Sequence, residues 1–182
     1  MNQHPQLLEA ALFSAVHPLS VSDLKKLMRD ASTGEVRAAL DELREHYDQE
    51  GHGVELVEVA DGFQIMTRPE HAEAIADARI VFRPRKLSRA ALESLAVIAY
   101  RQPVSRGEIE DVRGVSADGV LRMLLDREFI QVAGRADGLG RPLLYGTTAK
   151  FLELLGLSEI SALPQLEEFS VALRPPSEVG EP

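Results

Sequence analysis

Gly140-Arg141-Pro142-Leu143-Leu144-Tyr145-Gly146-Thr147-Thr148 closes a segment that opens at Leu87-Ser88-Arg89-Ala90-Ala91-Leu92 and runs through Ala99-Tyr100-Arg101-Gln102-Pro103-Val104-Ser105. Between these markers lie three helical patterns, then a hairpin, then one more helical pattern. That order predicts a helix-turn-helix followed by a wing. Leu92, Leu95, Ala96 and Ala99 form the apolar stripe of the first helix. Ser105 and Glu108 have capping-box spacing, and Gly114 supplies the permissive turn. Ser116 is the expected cap of the next helix, which turns Val120, Leu121, Leu124 and Leu125 inward. Phe129–Ala133 and Pro142–Tyr145 read as the strands of the wing. Thr147 or Thr148 then caps a helix carrying Phe151, Leu152 and Leu155, ended by Gly156.

An imperfect copy of this order fills residues 5–78. Leu7, Leu8, Ala11, Leu12 and Ala15 recur at helical spacing, and Pro18 ends that run. Ser20 with Asp23, and Ser32 with Glu35, mark two further helix starts. Val54–Val59, a turn at Asp61-Gly62 and Phe63–Thr67 read as a hairpin. Aligning Pro18 with Pro103 pairs Leu19 with Val104 and Ser20 with Ser105. The fold expected is α+β, mostly helical, with two tandem winged-helix domains. Residues 1–78 form the first, 79–86 a linker, 87–169 the second and 170–182 a disordered tail.

The totals narrow the function. Of 182 residues, 45% are hydrophobic, enough for true cores. There is no cysteine, which excludes disulfides and thiolate chemistry and fits a cytoplasmic protein. No apolar run approaches the roughly 18 residues of a membrane span, and no signal-peptide pattern opens the chain. The net charge is −9, spread unevenly. Residues 1–86 hold 15 acidic and 10 basic side chains, residues 87–156 hold 9 of each, and residues 157–182 hold 5 and 1. No region has the basic footprint on which tight DNA binding depends. Arg113, Arg122 and Arg127 could still meet phosphate or base edges, as a winged-helix transcription regulator would require.

Catalytic patterns are missing. The five histidines (His4, His17, His46, His52, His71) have no zinc-site spacing, so no metal or other cofactor is expected. Asp41-Glu42 with Glu45 reads as a solvated acidic face. The glycine-rich stretch 134–140 lacks the Gly-Lys-Ser/Thr ending of a phosphate loop and suits a wing tip better. The first hairpin is apolar on both faces: Val57 and Val59 lie opposite Val54 and Leu56, and Met66 lies opposite Phe63 and Ile65. A bulge, the following helical segment (Pro69 to Ala78) covering the second face, or a subunit interface would each explain this. Val57, Val59 and Met66 are therefore the dimer-interface candidates.

Tyr100-Arg101-Gln102-Pro103, Val112-Arg113-Gly114-Val115 and Gly140 to Thr148, in this order, resemble the bacterial segregation and condensation protein B family. Phe151-Leu152, Gly156-Leu157 and Leu163-Pro164 extend the resemblance, which covers about residues 5–169. One departure is Leu139, where the family often has Pro. The resemblance implies a non-enzymatic protein that dimerises, mainly through its first domain. It implies binding to the kleisin, segregation and condensation protein A, and through it to an SMC ATPase that condenses and segregates the chromosome. A cytoplasmic, nucleoid-associated place follows from that role. Arg141 and Tyr145 are the candidate kleisin contacts, because Arg and Tyr are enriched at interface hot spots. Each also has a structural explanation: Arg141 as an internal ion pair, Tyr145 as core.

Overall fold

Two separate hydrophobic cores organise the chain. The computed structural model describes residues 4–29, 31–49, 51–78, 86–137 and 140–165. Most of the expected linker, the wing-tip Leu139 and the expected tail lie outside the described residues.

The first core is built by α1 (His4–Ser14), α2 (Val21–Leu27), α3 (Thr33–Asp48) and the hairpin β1 (Val54–Val59) and β2 (Gly62–Thr67). Leu8, Leu24, Val36 and Leu40 are at most 2% exposed within it. Each such burial stabilises by about 1.5–3 kcal/mol. Helix starts follow the sequence signals closely. Ser32 and Glu35 complete a reciprocal capping box on α3. At α2, Ser20 accepts from the Asp23 N–H while its hydroxyl donates to the Asp23 carboxylate. Tyr47, on the last turn of α3, donates its hydroxyl to Glu9 Oε1 of α1 at 2.7 Å. Burial, first, and then this contact with Glu9 push the Tyr47 pKa up to about 12.

The hairpin turn sits one residue earlier than the Asp61-Gly62 expected. Val59 pairs with Gly62, leaving Ala60 and Asp61 as the two loop residues, both at positive φ (50° and 57°). Gly62 serves another purpose. A Cβ there would lie 3.0 Å from Pro18 Cβ and 3.1 Å from the Leu19 backbone. Only glycine lets the connector between α1 and α2 come close enough for Leu19 and Phe63 to exchange two 2.9 Å backbone hydrogen bonds. Leu19 thus adds a third, one-residue strand to the hairpin.

A 3-10 turn (Pro69–His71) and α4 (Ala72–Asp77) follow. The second core is then enclosed by α5 (Arg89–Arg101), β3 (Val104–Ser105), α6 (Arg106–Arg113), α7 (Asp118–Asp126), β4 (Ile130–Arg135), β5 (Leu143–Thr147) and α8 (Ala149–Leu155). Its sheet order is β3-β5-β4, all antiparallel. Val104 pairs with Tyr145 as Leu19 pairs with Phe63, so the two halves repeat at the residues that the Pro18–Pro103 alignment matched.

Ser105 and Glu108 form the expected box, which holds the Glu108 carboxyl below its ordinary pKa through hydrogen bonds from the Ser105 hydroxyl and N–H. Gly114 and Gly156 take left-handed C-cap conformations (φ 69° and 66°). Two expected caps differ. Ala117, not Ser116, precedes α7, and Glu110 Oε1 accepts from the Ala117 N–H at 2.9 Å. A carboxylate from the preceding helix therefore replaces a local cap. Thr148 does precede α8, but its hydroxyl donates to the Glu128 carbonyl instead of capping. The two halves meet where Ala60 and Asp61 donate backbone hydrogen bonds, each 2.9 Å, to Leu157 and Ser158.

Candidate partner-binding surfaces

Tyr145 sits mid-strand on β5, flanked by Val104 and Val132, and is 8% exposed within the second core. Arg141 lies just before β5 in the β4–β5 hairpin, exposed, at φ 38°, its carbonyl accepting from Arg135 Nη1 at 3.2 Å. The two share a hairpin but not a surface: Arg141 faces solvent while Tyr145 fills the interior. A truncation of Tyr145 therefore acts on packing first.

The three arginines proposed for nucleic acid diverge as well. The Arg113 side chain is 7% exposed, with Glu93 Oε2 at 3.5 Å from Nη2, and its Nε and Nη1 are buried without a hydrogen-bond partner. Arg122 is exposed on α7, and Arg127 is half-buried at the end of that helix. They do not form one cationic face. On α6, Arg106 is engaged by Asp118 and lies 3.9 Å from Glu110.

Among the hairpin candidates, Val59 is 1% exposed within the chain itself, and Val57 is half-buried. Met66 is the exposed member, at 42%. The larger apolar exposure of the first half belongs to α1 and the turn after it, at Leu7, Phe13 and Val16. Sequence periodicity missed this because α1 is apolar nearly all round, so its stripe does not reveal which side is covered.

In the second half, α5 and α8 leave a groove of ≈ 280 Å³ lined by Leu92, Ala96, Tyr100, Leu154, Leu155 and Leu163 with their neighbours. Leu92, Leu154 and Leu155 are about half exposed along it. Tyr100 closes one end by donating its hydroxyl to the Pro164 carbonyl at 2.6 Å. Such a groove takes an apolar helix or strand through side-chain burial. It provides no constellation for catalysis. Among the described residues no three His, Asp or Glu side chains are placed to hold a metal ion, and no helix is long and apolar enough to cross a membrane.

Comparison with known proteins places the chain in a family. The family model described as segregation and condensation complex subunit ScpB matches residues 6–166. Segregation and condensation protein B of Syntrophotalea carbinolica is 48% identical over 164 residues, 90% of this chain and 82% of that protein. The crystal structure of ScpB from Mycobacterium tuberculosis shares 34% identity over 86% of this chain and 96% of that one, with a TM-score of 0.40. A crystal structure of a dimer of the ScpB N-terminal domain complexed with ScpA peptide shares 27% identity over 46% of this chain and 95% of that one, with a TM-score of 0.41. Residue identity and the span of the family model carry the assignment: this chain belongs to the segregation and condensation complex subunit ScpB family.

Proposed function

We propose that this chain is a non-enzymatic accessory subunit of a bacterial SMC–kleisin complex, cytoplasmic and drawn to the nucleoid by that complex. In this reading it has two tandem winged-helix domains. Residues 1–78 hold two copies together, 79–86 link the domains, and 87–169 offer the main surface for the kleisin, segregation and condensation protein A. Residues 170–182 form a tail. The observation that carries the proposal is the family match over residues 6–166. The apolar groove between α5 and α8 supports it physically, because the fully buried centre of a protein interface is more apolar than the surrounding surface and poor in charge.

Direct DNA binding is weak in this reading. The net charge of −9 repels a polyanion, and the Arg113 guanidinium is enclosed against Glu93. Co-purification of the tagged full-length protein from its own cells tests both statements. Recovery of the SMC–kleisin pair is expected. Recovery of specific promoter fragments without that pair would replace the proposal with a transcription regulator.

A further inference from the structure

The groove between α5 and α8 opens at one end onto the point where the chain leaves the second core. Leu163 and Pro164 form its lip there, and Tyr100 holds that lip by donating its hydroxyl to the Pro164 carbonyl at 2.6 Å. A second hollow of ≈ 390 Å³ adjoins the first across Tyr100, Leu163 and Pro164, and is edged by Gln165, the last residue described. The chain is thus delivered directly to the groove. No charged side chain lines it. From Leu92 to Tyr100 the groove follows α5 for eight residues, about 12 Å at the rise of an α-helix. The sequence beyond Gln165 reads Leu166-Glu167-Glu168-Phe169-Ser170-Val171-Ala172-Leu173, then Arg174-Pro175-Pro176. Leu166, Phe169 and Leu173 stand at i, i+3 and i+7, the spacing of one apolar stripe on a helix, with Glu167, Glu168 and Val171 on the other arc. Pro175 and Pro176 stop that pattern. Eight residues of helix span about 12 Å, the length of the groove.

We propose that residues 166–173 lay this stripe into the α5–α8 groove of their own chain, as a strap that the kleisin must displace to bind there. The competition rests on the kleisin reading given above; the occupancy does not. The strap draws residues 170–173 out of the proposed tail. Three considerations select this occupant. The stripe and the groove match in length and in lack of charge, and the stripe leaves Glu167 and Glu168 in water. The lip that starts the segment is fixed by the Tyr100–Pro164 bond, so little freedom remains to be lost on docking. A segment tethered at the lip also has an effective concentration of about 1 mM, whereas a partner arrives from dilute solution. With an intrinsic affinity of about 0.1 mM, such a strap closes the groove about nine-tenths of the time.

The chain has no cysteine, so Leu92→Cys with Leu173→Cys in the full-length protein reports on this contact alone. Mild oxidation is expected to form a disulfide within one chain, which keeps the mass of a single 20.0 kDa chain on a denaturing gel. Adding Phe169→Glu or Leu166→Glu should slow its formation about tenfold, because the strap then spends most of its time outside the groove. Val171→Glu, on the opposite arc, should leave the rate unchanged. In the cysteine-free chain, Phe169→Glu should tighten binding of the purified kleisin about tenfold. Equal oxidation rates with and without Phe169→Glu and Leu166→Glu would overturn the strap. A disulfide joining two chains would overturn its placement in its own groove. A slowed disulfide with unaltered kleisin affinity would leave the strap standing and remove the kleisin from this groove. Weaker kleisin binding by Phe169→Glu would overturn the competition and make Phe169 a kleisin contact.

Discussion

The side-chain carbonyl of Gln102 accepts two hydrogen bonds from Thr147, one from its backbone N–H at 2.6 Å and one from its hydroxyl at 3.0 Å. These residues lie 45 positions apart and join the end of α5 to the end of β5. Gly146 is part of the same joint, since a Cβ there would stand 3.1 Å from Gln102 Oε1. The segments around Gln102-Pro103 and Gly146-Thr147 are therefore bonded to each other within the chain.

Gln102→Leu removes the acceptor and leaves the half-buried Thr147 N–H without one. The expected cost is about 1–3 kcal/mol of unfolding free energy. Gln102→Glu keeps an acceptor oxygen in place and should recover part of the loss. Urea unfolding of the three proteins measures this. Equal stability of the Leu variant would show that the bond contributes nothing net.

Tyr145→Ala empties a site that is 8% exposed in the second core, and is expected to destabilise by about 3–5 kcal/mol, as large aromatic truncations in cores do. Arg141→Ala alters an exposed side chain and should stay within about 0.5 kcal/mol of the parent. Thermal melts and kleisin titrations on both variants separate packing from contact. An unchanged melting temperature for Tyr145→Ala would place that ring outside the core. An unchanged kleisin affinity for folded Arg141→Ala would remove Arg141 from the partner surface.

Burial of the Tyr47 hydroxyl, and then its bond to Glu9, make stability depend on alkaline pH. Unfolded tyrosine titrates near 10 and folded Tyr47 near 12, so the folded state holds the proton over that window while the unfolded state releases it. The contribution is complete below pH 10 and is lost as pH rises towards 12. Tyr47→Phe removes this slope and, near neutral pH, a hydrogen bond to a carboxylate worth about 1.5–3 kcal/mol. Denaturant midpoints at pH 8 and pH 11 should fall for the parent and converge on those of the Phe variant. A parallel fall in both proteins would assign the alkaline loss elsewhere.

Local chemistry was legible in the sequence because it is carried by residues a few positions apart. Ser32 with Glu35 and Ser105 with Glu108 cap the helices they were expected to cap, and Gly114 and Gly156 end theirs. The repeat could be read too: Pro18 and Pro103 precede Leu19 and Val104, and each of those pairs with a later strand. The family was carried by short motifs in order, over most of the chain. What the tertiary structure decided was which side chains remain outside. Tyr145 and Arg141 are four residues apart on one hairpin, yet packing of the second core buries the ring and leaves the guanidinium in solvent. Arg113 looked available on a short helix until α5 brought Glu93 to it. Val59 looked like surplus apolar surface, yet it is 1% exposed, and Leu7, read on the same apolar stripe as the buried Leu8 and Leu12, is 42% exposed. Periodicity records how many faces of an element are apolar. Which of them is covered depends on elements that pack from elsewhere in the chain, and no local pattern encodes that.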